Sequence, residues 1–183
     1  MYRLVLLLMM AILVSCAEES IPKPKAYLSL EYASQEYRRL QVKRPYIFEI
    51  GQNTSIIELP KKWLKVIYPK SRASVDITYR PVKNNLRELF TEAEKLVLEH
   101  TVKADNISWR DFVNSENKVY GKLCQIEGNA ASQIQFHATD SSHHFIKGSL
   151  FFHAKPNYDS IYPAVEYIKK DMIRMMESLK WKN

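Results

Sequence analysis

Residues Leu4 to Val14 form an unbroken apolar run behind the positive start Met1-Tyr2-Arg3, and this constrains the chain more than any other feature. Eleven apolar residues are too few to span a hydrocarbon core, which takes about 20. A positive n-region followed by an apolar h-region is the layout of a secretory signal peptide, which is no part of the fold. Residues 1–15 are therefore read as a signal, and folding is left to the remainder of the chain.

The run closes Leu13-Val14-Ser15-Cys16, which resembles the lipobox of bacterial lipoproteins. The resemblance implies cleavage before Cys16, diacylglycerol on its thiol and an acylated new amine. The alternative is a soluble secreted protein with an ordinary cleavage site. Each buried CH₂ is worth about 0.8 kcal/mol and a single chain binds reversibly; two or three chains on Cys16 make attachment permanent. The chain has two cysteines, so a lipidated Cys16 leaves Cys124 without a disulfide partner. An exported chain of this kind must be held by its core. Cys124 lies in an apolar stretch and reads as a small buried residue.

Cleavage leaves 168 of the 183 residues, enough for one ordinary domain that buries roughly 70% of its unfolded surface. With Arg3 gone, 26 basic residues face 20 acids, a charge near +6. In the cytosol that excess would suggest nucleic acid; an export signal removes nucleic acid as a partner. Arg38-Arg39, Lys43-Arg44, Lys61-Lys62 and Lys70 with Arg72 read as solvated faces, with anionic headgroups or an acidic partner protein as the alternative.

Residues 16–25 read as the lipidated cysteine and a tether. Pro22-Lys23-Pro24-Lys25 favours extended backbone, and the nine residues 17–25 reach about 30 Å at most. Residues 26–183 read as a single domain. Strands are expected at Ala26–Tyr32, Tyr46–Ile50, Ser55–Leu59 and Trp63–Tyr68, with Gly51-Gln52-Asn53 as a turn. Val75, Ile77 and Tyr79 alternate with polar neighbours, the period of a sheet with one buried face. Leu86, Leu89, Phe90, Ala93, Leu96, Val97 and His100 recur at helical spacing, with Asn85 and Glu88 as a capping box. Strands return at Val119–Ile126, Gln133–Ala138 and Phe145–His153, the last two joined through Asp140-Ser141-Ser142-His143. A closing helix buries Ile161, Val165, Ile168, Met172, Met175 or Met176, and Leu179, with Ser160 as cap and Pro163 in its first turn. This order indicates an α+β class, an antiparallel sheet flanked by helices. It resembles, coarsely, the sandwich of PsbP and Mog1-like proteins.

A search for chemistry finds little. His137, His143, His144 and His153 share a hairpin, but strand rise sets His137 and His153 more than about 20 Å apart, so no metal site is expected. There is no G-x-S-x-G elbow, no recognisable Cys-His pairing and no phosphate-cradling loop, and four glycines leave little material for one. No catalytic residue and no cofactor is expected. Gly128-Asn129-Ala130-Ala131-Ser132 stands out as a small-residue turn between strong strands: a tight connection, or an interaction turn (Gly128, Asn129, Ser132) where another backbone approaches. Asp159-Ser160-Ile161 resembles a short O-glycosylation motif of gliding bacteria; capping the last helix is the competing use.

Taken in order, Pro22 to Tyr27, His100 to Asp105, Val119-Tyr120-Gly121, Gly128 to Ser132, Gln135-Phe136, Thr139-Asp140-Ser141, His144-Phe145, Gly148-Ser149-Leu150, Pro156-Asn157 and Asp159-Ser160 resemble the GldD family of gliding-motility lipoproteins. The resemblance runs across nearly all of the chain after Cys16. It implies a non-enzymatic accessory component of the Bacteroidota gliding and type IX secretion machinery. Its partners would be other gliding and secretion proteins of the envelope, and its anchorage would be lipid at the outer membrane. Ala17-Glu18-Glu19 partly resembles an acidic cell-surface export signal; a polar linker facing the periplasm is preferred. The different-class alternative is a lipoprotein holding a small ligand or lipid between sheet and helices, near aromatics such as Tyr27, Phe48, Trp63, Phe136 and Phe151.

Overall fold

Val75, Ile77 and Tyr79 turn to one face of a long strand because side chains alternate across a pleat, and that strand lies inside a seven-stranded antiparallel sheet. The computed structural model describes residues 34–99, 103–153 and 157–182. Cys16, the expected strand Ala26–Tyr32 and His100 lie outside the described residues. The strands are β1 (Tyr37–Arg39), β2 (Tyr46–Ile47), β3 (Glu49–Gly51), β4 (Ser55–Glu58), β5 (Leu64–Tyr68), β6 (Ala73–Pro81), β7 (Ala104–Asn114), β8 (Val119–Gly128), β9 (Ile134–Thr139), β10 (His144–Phe152) and β11 (Lys180–Trp181). The helices are α1 (Leu86–Leu98) and α2 (Tyr158–Glu177).

The large sheet runs β4-β5-β6-β10-β9-β8-β7. It is two meanders, β4 to β6 and β7 to β10, which meet along β6 and β10 with Tyr79 opposite Ile146 and Val75 opposite Leu150. Hairpin neighbours need only short loops; α1 carries the one long connection, from mid-sheet to the far edge. Short pairs, β1 with β3 and β2 with β11, lie beside it.

One face supplies Leu64, Val66, Val75, Ile77, Ile134, Phe136, Ile146 and Leu150 to the main core, where they meet Val165, Ile168, Met172, Met175, Met176 and Leu179 of α2 and the residues just after it. Each large side chain so buried is worth about 1.5–3 kcal/mol. Gly148 belongs to this face because Phe136 lies across it; a Cβ there would run into the ring. The opposite face is covered by α1, with Leu89 and Ala93 on Phe145 and Val97 on Cys124, Ile126 and Ala130. This second face also buries polar side chains, namely Ser74, Gln135, His137, Thr139 and Ser149.

Four details differ from the sequence reading. The expected strand Tyr46–Ile50 is split, because β2 pairs with β11 while β3 pairs with β1. Asn85 stands at the N-cap of α1, but its Oδ1 accepts the Lys83 N–H at 2.9 Å, so no side-chain cap and no capping box with Glu88 forms. The closing helix starts earlier than expected: Asn157 is at the N-cap and Ser160 lies in the first turn, its hydroxyl donating to the Asn157 carbonyl at 2.9 Å. Pro163 is consequently inside the helix. Finally, β7 was not foreseen, nor were the short β1 and β11.

Candidate functional site

The Gly128–Ser132 turn is committed to the protein's own backbone. Gly128 has φ +105°, and a Cβ would sit 2.8 Å from the Asp105 nitrogen and 2.9 Å from the Lys103 carbonyl. That close approach fixes the start of β7 against the end of β8, and glycine alone fits it. Asn129 Oδ1 accepts the Tyr158 N–H at 2.9 Å, holding the start of α2. Ser132 is fully buried and donates to the Ile134 carbonyl at 3.3 Å, and the Gln133 amide donates to the Ala130 carbonyl at 2.6 Å. What the turn leaves exposed is Asn129 and Ala131.

The four hairpin histidines go to different places. His137 is buried, with Phe90 edge-on at 5.2 Å and Phe145 stacked at 5.9 Å. Burial, with Lys122 and Lys147 nearby, lowers its pKa to about 4, so it is a neutral core residue. His153 is at the other end of β10, its backbone N–H on the Arg72 carbonyl. His143 is exposed. His144 is half-buried; the Tyr79 hydroxyl lies 3.0 Å from its Nδ1, and its ring stacks on Trp181 at 5.2 Å. Burial lowers its pKa, Asp140 opposes this, and His143 and Lys62 add to it. Among the described residues no group of three His, Cys, Asp or Glu side chains is placed to hold a metal ion.

Asp140, Ser142 and His143 superficially suggest a hydrolytic triad. The Ser142 hydroxyl donates to Asp140 Oδ2 at 3.1 Å and lies 2.9 Å from His143 Nδ1, which is itself 3.6 Å from that carboxylate oxygen. A working triad needs the carboxylate and the serine on different ring nitrogens; here both face Nδ1. Asp140 Oδ1 instead accepts the N–H groups of Ser142, His143 and His144 at 2.8–3.0 Å. Burial pushes Asp140 up, but these donors outweigh it and bring its pKa to about 2. The constellation is a turn clamp. Cys124 is buried, and that burial pushes its thiol up to about 12, so it is protonated at neutral pH.

One ionisable cluster escaped the sequence reading. Asp171 on α2 is buried, with Gln35 donating to its Oδ1 at 3.1 Å and to the Tyr167 carbonyl at 2.8 Å. Burial raises its pKa, against the Tyr68, Tyr37 and Gln35 groups that face it. Its Oδ2 and the Tyr68 hydroxyl are both buried, and the Tyr68 and Tyr37 hydroxyls are turned toward the carboxylate. The signal was available: 171 follows 168 by three in the buried stripe of α2, an acid where an apolar residue belongs.

Between α1 and the sheet a cleft of about 220 Å³ is lined by Trp63, Leu89, Ala93 and Phe145, with Thr78, Arg80, Glu92 and Lys147 as its polar members. Of the aromatics expected near a sheet-helix pocket, Trp63 lines this cleft. Phe48 and Phe136 are packed in the main core, Phe151 is exposed on the sheet, and Tyr27 is outside the described residues.

Comparison with protein families matches residues 17–181 to a family described as gliding motility lipoprotein GldD. No curated protein matches the chain.

Proposed function

Because the chain belongs to the gliding motility lipoprotein GldD family, we propose that it is a non-enzymatic accessory component of the Bacteroidota gliding and type IX secretion machinery. In this reading it is anchored by lipid on Cys16, at the periplasmic face of the outer membrane, and works by binding other envelope proteins of the machine. The observation that carries the reading is the extent of the family match, which begins one residue after Cys16 and runs to Trp181. His137, His144, Asp140 and Cys124 support it further, since each is held in packing or in a turn. Kinship of the sandwich with PsbP and Mog1-like folds belongs to the same proposal.

Mild crosslinking in cells followed by purification of the protein tests the binding role. Other gliding and secretion components should come with it reproducibly; a protein recovered alone under conditions that capture known neighbours in the envelope would count against the proposal.

The cleft beside α1 favours a second reading, a lipoprotein holding a small ligand with an apolar body against Trp63 and Phe145 and a polar group at Lys147 or Arg80. Native mass spectrometry of the protein from its own cells should then show a bound mass that is lost in Trp63→Ala. A spectrum of the bare chain would end this reading.

A further inference from the structure

A strip of neighbouring residues crosses the end of the sheet where β5 begins and β6 ends. The Lys62 ammonium lies over the Tyr79 ring at 5.3 Å, and Tyr79 reaches His144, which stacks on Trp181. The Trp181 indole N–H then donates to the Lys118 carbonyl at 3.0 Å. Lys61 lies over Trp63 at 5.8 Å, and Lys182 follows Trp181. All four lysines are exposed.

The backbone is unusual at the same places. Among the described residues six non-glycines have positive φ, and three of them are Lys61 (60°), Lys62 (66°) and Lys118 (51°). Left-handed backbone is disfavoured for any residue with a Cβ and persists only where the surroundings over-determine it. They do so here: the Tyr46 hydroxyl donates to the Lys62 carbonyl at 2.7 Å, the Trp63 N–H to the Pro60 carbonyl at 3.2 Å, and Trp181 to Lys118. Glycine or asparagine would satisfy the same turns with less strain. The fold therefore explains the turns and leaves the lysines unexplained. Among the described residues the lysines outnumber the acids beside them: Glu58 is paired with Arg44 at 2.9 Å, Asp140 keeps its charge beside Tyr79 and His144, and Glu116 lies in the Lys118 turn.

We infer that this strip docks an acidic, Asp/Glu-rich segment of a partner protein, an inference that rests on the accessory role proposed above. Charge complementarity selects the class of partner and speeds its encounter. The large exposed apolar side chains among the described residues, Ile57, Leu98, Trp109, Val113, Phe151 and Tyr162, are outside the strip, which therefore offers little to insert into a bilayer. The described chain also begins at the other end of the sheet, where Gln35 meets Asp171 beside Tyr68, roughly 20 Å from Tyr79 at the rise of a strand.

The test uses full-length lipidated protein in nonionic detergent and a fluorescein-labelled 20-residue poly-L-glutamate, read by anisotropy. Lys62→Gln with Lys118→Gln should weaken binding roughly tenfold, while Lys70→Gln with Lys170→Gln, the same charge change elsewhere, should leave it within about twofold. Equal loss in both pairs, or no binding of the peptide while phosphatidylglycerol doped into the micelles binds, would overturn the inference. In a deletion strain the Lys62/Lys118 variant should fail to restore colony spreading that wild type restores. Full restoration defeats the docking strip alone; a deletion that spreads normally defeats the accessory role itself.

Discussion

His137 is held neutral between Phe90 and Phe145, and its burial sets one pH dependence of stability. With the folded pKa near 4 against 6.5 when free, the unfolded chain binds a proton that the native chain refuses between those values. Stability therefore falls as pH drops from 6.5 to 4, by up to about 3 kcal/mol. His137→Phe should flatten urea midpoints measured across that window. Asp171 has the opposite sign. Its folded pKa is raised above 3.8, so the native state holds a proton that the unfolded chain releases, and stability is lost as pH rises through that interval. Asp171→Asn should raise the unfolding free energy from urea titration at pH 7 by about 1 kcal/mol and change it little at pH 3. A lower midpoint at pH 7 would mean the carboxylate is better satisfied than its contacts indicate. At Gly128, Ala adds a Cβ against the Asp105 nitrogen at φ +105°, and the expected cost is about 2–3 kcal/mol in the same assay.

Among the elements, legibility followed burial. β6 was readable because one face is buried and the other polar, so alternation survives in Val75, Ile77 and Tyr79. β7 was not, because it is an edge strand exposed along most of its length, and nothing selects for alternation there. The split of Tyr46–Ile50 is a long-range effect: β2 pairs with Lys180-Trp181 at the far end of the chain. Helix caps failed locally, since Asn85 and Ser160 both bond to backbone on the near side of the helix start. Strain in the β4–β5 turn makes an element-scale prediction. Lys61→Gly with Lys62→Gly should stabilise the protein by about 0.5–1 kcal/mol per site, as relief of left-handed strain exceeds the added chain entropy, and should weaken poly-L-glutamate binding. Loss of stability would show that the lysine–aromatic contacts outweigh the strain.

For the whole molecule, the α+β class, the two helices and the family were legible in the sequence before any geometry was available. The basic strip was not, because Lys62, Tyr79, His144, Trp181 and Lys118 are far apart in the chain and meet only through the β6–β10 pairing and the placement of the C-terminus. The Gly128–Ser132 turn was legible as a small-residue motif; the contacts it makes were not, because the partners Tyr158 and Asp105 come from other elements. A binding role in the gliding and secretion machine is tested most directly by secretion of a type IX cargo in a clean deletion strain, scored beside colony spreading. Cargo retained in the cells together with loss of spreading is the predicted result. Normal secretion with normal spreading would contradict that role and move the ligand-binding cleft to the front.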